Sequence, residues 1–155
     1  MAKRNYVNNP EFLEAIIAYK KLCSEAEDSG DKRPQIPNYI GHCIYQISTR
    51  LASKPNFSGY SYKDEMISDG LENAIQALGN FDPNKSHNPF AYFTAAVTNS
   101  FVRVIHIEKR NQNIRDDILE MNDLKPSHTR LHEGEWEAAI RRNEEADPTA
   151  FTKKK

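Results

Sequence analysis

The sequence predicts an all-α protein, a compact domain of about four helices around one core. Apolar residues recur at helical spacing in four separate stretches, no alternating run is long enough to argue for a strand, and no internal repeat or parallel-sheet crossover is visible. Each stretch carries its own start and stop signals.

Asn9 followed by Pro10 reads as an N-cap and first-turn proline. Phe12, Leu13, Ile16, Ile17 and Leu22 then give a helix to about Glu27, followed by a loop rich in charge and proline. The second helix is expected from about Pro37 to Ser53, burying Ile40, Cys43, Ile44, Ile47 and Leu51. The Lys54 to Tyr60 stretch connects it to the third, where Ser61 and Asp64 have capping-box spacing, Gly79 suits a left-handed terminator and Pro83 blocks continuation. Its inward face reads as Ile67, Leu71, Ala74 and Leu78, flanked by Met66 and Ile75. Glu65, Asp69, Glu72 and Gln76 form an outer stripe. Carboxylates repel DNA, so that stripe should face water or a basic protein.

The fourth helix is the longest. At about 100° per residue, Phe90, Phe93, Val97, Phe101, Val104 and Ile105 fall in one arc of roughly 120° and read as core. Opposite them lie Tyr92, Ala96, Asn99, Arg103, His106 and Arg110, a line about 27 Å long. An exposed Tyr can stack on an unpaired base, Asn can reach a base edge, and Arg and Lys neutralise phosphates. A solvated face kept for solubility fits this segment as well.

Composition bounds the function. Of 155 residues 38% are hydrophobic and 28% charged, with a formal net charge of −1. That average hides a split, because the helix from Tyr92 to Arg115 is basic while Asp116 to Asp147 holds ten acidic and four basic residues, a local −6. Weak overall charge predicts poor binding to naked duplex. With no apolar run of about 18 residues and no signal-type N-terminus, membrane and secreted classes are not expected. Cys23 and Cys43 lie on apolar helix faces and read as reduced core residues of a cytosolic protein. The domain is expected over 1–115, with 116–155 an acidic tail, partly helical at most. Glu133 to Glu145 could form a short helix carrying Trp136 and Ile140, which either docks on a partner or packs back.

EMISDGLENAIQAL, the FD at Phe81 and Asp82, and the PFAYFT run with Tyr92 together resemble region 2 of bacterial sigma factors, the core-binding and promoter-melting region. NYVNN near the start, NFSGY at 56 to 60 and NP-AY at 88 to 92 bring the pattern closer to the late-transcription sigma factors of T-even-like tailed phages, over roughly residues 5 to 110. That resemblance implies a sigma region 2-like helical fold in the cytoplasm of an infected bacterial host. It implies that Glu65, Asp69, Glu72, Asn73 and Gln76 contact the coiled coil of the largest subunit of core RNA polymerase. It also implies that Tyr92, Asn99 and Arg103 meet promoter DNA, the non-template strand above all, with Tyr92 stacking on a flipped base; Phe93, His106, Lys109 and Arg110 of the same helix are further candidate DNA contacts. Where many primary sigma factors carry a Trp pair, this chain has Ala95 and Ala96. Stacking is worth about 1–3 kcal/mol per aromatic contact, so AT-rich promoters and help from a phage coactivator are expected. The family's C-terminal peptide, which implies a sliding clamp as a further partner, corresponds here to DPTAFTKKK, whose three lysines replace the acidic end.

An enzyme is not expected, nor a cofactor. His128 and His132 are four apart and Glu133 follows, but no further ligand has recognisable spacing, so no metal is assigned. Asp116 and Asp117 are adjacent and point about 100° apart on a helix, unlike an acid and base pair. The competing reading is an adaptor that occupies host polymerase through the acidic helix, displaces or modulates the host sigma factor, and reads no promoter.

Overall fold

The computed structural model describes the backbone of residues 6–146 and the side chains of 6–142. Six helices and no strand occur among the described residues: α1 Asn9–Ser29, α2 Asn38–Ala52, the single turn α3 Pro55–Ser58, α4 Lys63–Asn80, α5 Pro89–Met121 and α6 His128–Ala146. The protein is thus all-α, with two helices more than expected. The described residues fall into two compact units that divide within α5, between His106 and Ile107. The DPTAFTKKK segment and Asn5 of the NYVNN motif lie outside the described residues.

In the first unit one core takes buried side chains from every long helix. Phe12, Ile16, Tyr19 and Cys23 come from α1, and Ile40, Cys43, Ile44, Ile47 and Leu51 from α2. Met66, Ala74 and Leu78 come from α4, and Phe93, Val97 and Phe101 from α5. The expected α2 face is buried in full. On α1 the stripe is rotated: the four buried positions follow the i, i+4, i+7, i+11 rule, leaving Ile17 and Leu22 exposed and Leu13 half-buried at the flank. A similar rotation on α4 brings in Met66 and Gly70 and leaves Ile75 exposed. Both cysteines are buried free thiols.

The helix ends differ from the sequence signals in instructive ways. Asn9 is the first residue of α1, and its side chain serves another helix: its amide donates to Asn88 Oδ1 at 2.8 Å while its oxygen accepts from the Phe90 N–H at 3.2 Å. Asn88 Oδ1 accepts from the Ala91 N–H at 3.0 Å, so the two asparagines together cap the start of α5 ahead of Pro89. No side-chain hydrogen bond caps α4, whose N-cap is Tyr62, so the box proposed for Ser61 and Asp64 does not form. Nor is Gly79 a terminator: it is helical, and its carbonyl accepts from Lys20 Nζ at 3.0 Å. The left-handed glycine is Gly30, at φ 73°, with the Gly30 and Asp31 amides returning to Glu27 and Ala26 carbonyls at the end of α1.

In the second unit the described part of the expected tail is mostly helix. The end of α5 turns through Asp123, a non-glycine at φ 56°, with the Leu124 amide donating to the Leu119 carbonyl at 2.9 Å. Buried Asp116 accepts from the Ser127 amide at 2.7 Å and from the Ser127 hydroxyl at 2.8 Å, and Arg130 pairs with Asp117 at 2.6 Å. The Ser127 amide and hydroxyl hold the Asp116 carboxyl below the usual range, against the opposing effect of burial. These side-chain bonds order the start of α6, although Trp136 and Ile140 beyond it stay exposed. Sequence reading undervalued them because it looked for apolar periodicity, and the organising groups here are polar.

At Gly70 of α4 the side chains of α5 leave no space for a side chain. A Cβ there would stand 2.8 Å from Phe101 Cε1 and 3.1 Å from Val97 Cγ1, both fully buried side chains with no room to retreat. Gly70→Ala is therefore expected to destabilise the protein by about 1–3 kcal/mol despite alanine's better helix propensity, read as a lower urea midpoint with an unchanged slope.

Candidate functional site

Beside Gly70 the sequence puts Asp69 and Asn73 one turn apart on α4, and Ser100 and Arg103 three apart on α5. The four form one hydrogen-bonded cluster. Arg103 Nη2 donates to Asp69 Oδ1 at 2.7 Å and to Oδ2 at 2.8 Å, and the Ser100 hydroxyl donates to the same carboxylate. Asn73 Nδ2 donates to Asp69 Oδ2 at 3.1 Å, to the Asp69 carbonyl at 2.9 Å and to Ser100 Oγ at 3.1 Å. Burial by itself would push the Asp69 carboxyl up. The donors from Arg103, Ser100 and Asn73 outweigh it and hold the carboxyl below the usual range. In turn the Asp69 carboxylate raises the Arg103 pKa, and Glu72 adds to this from farther away. Both partners therefore stay charged at neutral pH.

The acidic stripe expected on α4 is thereby divided. Asp69 and Asn73 are half-buried and turned to α5, while Glu65, Glu72 and Gln76 remain exposed along the outer edge. Gln76 reaches Glu72 at 3.5 Å, and no ion pair engages Glu65 or Glu72 among the described residues. Glu72 thus acts on Arg103 only from a distance.

On α5 the expected contact line is also trimmed. Phe93 is fully buried against Phe12 and Phe81, with ring centroids 5.4 and 6.0 Å away, so its assignment to a DNA surface is corrected: it belongs to the core. Tyr92 is half-buried rather than exposed. Its hydroxyl donates to the Ala77 carbonyl at 3.1 Å, and its ring meets Phe81 edge-on at 5.0 Å. The tyrosine thus ties α5 to the end of α4, and Phe81 of the FD turn fills the space beneath it. Asp82 shapes that turn by accepting the Asn84 amide at 2.9 Å. Asn99 and His106 are exposed, as is the Arg103 side chain at 55%. Of the two alanines noted in the sequence, Ala95 is exposed and Ala96 half-buried. Lys109 and Arg110 are exposed residues of the second unit.

Two members of the site escaped the sequence reading. Ser100 borders the apolar arc of α5, and a hydroxyl there needs a partner. That was its one visible signal. Gly70 entered only as part of the EMISDG motif, and a glycine inside a helix does not by itself say what packs on it.

Elsewhere, His128 and His132 stack with centroids 6.5 Å apart, and among the described residues no three His, Cys, Asp or Glu side chains gather as a metal site. No helix of the described residues is long and apolar enough to cross a membrane. No protein-family model matches the chain, and no curated protein matches it either.

Tyr92→Phe retains the ring and removes the hydroxyl bonded to Ala77. We expect a stability loss of about 0.5–1.5 kcal/mol, seen as a lower thermal midpoint, with faster amide exchange concentrated at the end of α4.

Proposed function

We propose that the protein is a sigma-type initiation factor, a phage late sigma factor acting in the cytoplasm of an infected bacterium. The exposed edge of α4, Glu65, Glu72 and Gln76, would meet the basic coiled coil of the largest subunit of core RNA polymerase. The exposed edge of α5, Asn99, Arg103 and His106, with the Tyr92 ring behind it, would meet the non-template strand of a short AT-rich element upstream of the start site. A coactivator would supply part of the melting that the missing tryptophans do not.

One observation carries this reading: on α4 and α5, cross-linked by the Asp69 cluster, an exposed acidic edge without ion pairs among the described residues adjoins an edge of amide, guanidinium and imidazole. Unlike charges face unlike partners in such an arrangement, which sets encounter rate and register. The motif resemblance over residues 5 to 110 supports the same assignment. A second reading, the polymerase-binding adaptor without promoter selectivity, draws support from Tyr92 and Arg103, both of which already make internal hydrogen bonds.

Run-off transcription with host core polymerase and AT-rich late templates separates the two. Specific starts are expected, whereas tight core binding with no transcript favours the adaptor. Joint Glu65→Lys and Glu72→Lys replacement should weaken core binding by about tenfold or more and flatten its salt dependence, with the helical circular dichroism unchanged.

A further inference from the structure

Resting on the sigma reading, we propose that Asp69 is a positioning residue for the DNA contact of Arg103, held by Ser100 and Asn73, and is not a polymerase contact. The carboxylate engages one terminal nitrogen of Arg103 through both of its oxygens, at 2.7 and 2.8 Å. No hydrogen bond among the described residues uses Arg103 Nε or Nη1, and the side chain is 55% exposed. One end of the guanidinium is therefore anchored while its other edge keeps its donors for a phosphate or base edge. Asp69 is fixed in its turn: Ser100 is buried and donates to it, and Asn73 is tied both to its carboxylate and to its backbone carbonyl.

Physical chemistry gives the arrangement its purpose. A long, flexible arginine loses rotamer freedom when it grips a phosphate, and a side chain already held in place loses less. The neighbouring negative charge opposes that gain, because Asp69 lowers the local attraction for phosphate. Which effect wins fixes the sign of the Asp69→Ala phenotype. With positioning dominant, removing a carboxylate from beside DNA weakens DNA binding, the reverse of what charge alone dictates.

The test uses polymerase assembled from host core and the full chain, with a forked AT-rich promoter fragment as the probe. Core affinity and fork affinity are measured separately. Asp69→Ala and Ser100→Ala are each expected to lower fork affinity about five- to tenfold, with core affinity unchanged. Neither should add to the loss caused by Arg103→Ala, since all three remove the same held guanidinium. Asp69→Asn keeps the shape of the side chain and guards against a folding artefact, and it should show an intermediate loss. Tighter fork binding by Asp69→Ala, losses that add to Arg103→Ala, or a fall in core affinity that accounts for the whole effect would each overturn the proposal while leaving the sigma reading intact. Failure of the wild-type assembly to bind the fork at all overturns both.

Discussion

Gly70 lets α4 approach α5 until Phe101 and Val97 occupy the space a side chain would need. Beside that contact the short Asp69 carboxylate reaches Ser100 and Arg103 on the neighbouring helix. Apolar contact thus sets the distance and hydrogen bonding sets the register. Phe81 and Tyr92 close the far end of the same pair, the hydroxyl of Tyr92 accepted by a carbonyl in the last turn of α4. Asn9 and Asn88 fix the start of α5 against α1. The outer edges of α4 and α5 therefore belong to one locked pair of helices rather than to two independent faces.

That coupling changes what the charges do. Seen as two stripes, the acids of α4 and the cations of α5 look like separate binding surfaces. In the fold their nearest members have neutralised one another, and what stays free lies farther out: Glu65 and Glu72 on one side, Asn99 and His106 on the other, with Arg103 half-committed between them. A surface ion pair in water contributes little to stability. The interest of this one lies in geometry, since it orients a guanidinium whose remaining donors are exposed.

Much of this was legible beforehand, and what was missed has a common cause. Helical periodicity identified the α2 face position by position and the α5 core arc in outline, because many apolar residues vote together. It misplaced Ile17 and Leu22, and put the buried Met66 on the flank, where a rotation of part of a turn separates core from flank. Single-residue end signals fared worse: Asn9 caps a helix distant in sequence, Gly79 is held by Lys20, and the left-handed glycine is Gly30. Polar tertiary contacts were invisible altogether. Asp69 with Arg103 and Asp116 with Ser127 are separated by 34 and 11 positions, and no local pattern pairs them. Phe93 shows the opposite error, a residue correctly put in the core arc by its periodicity yet also taken as a DNA contact.

The functional reading requires that the two edges of this locked pair meet different partners. Site-specific photocrosslinking tests that most directly, with a benzophenone side chain at Gln76 or at Asn99 in polymerase assembled on a forked promoter. Gln76 should crosslink to the largest polymerase subunit and Asn99 to the non-template strand. Crosslinks from both positions to protein alone, or from Gln76 to DNA, would contradict it.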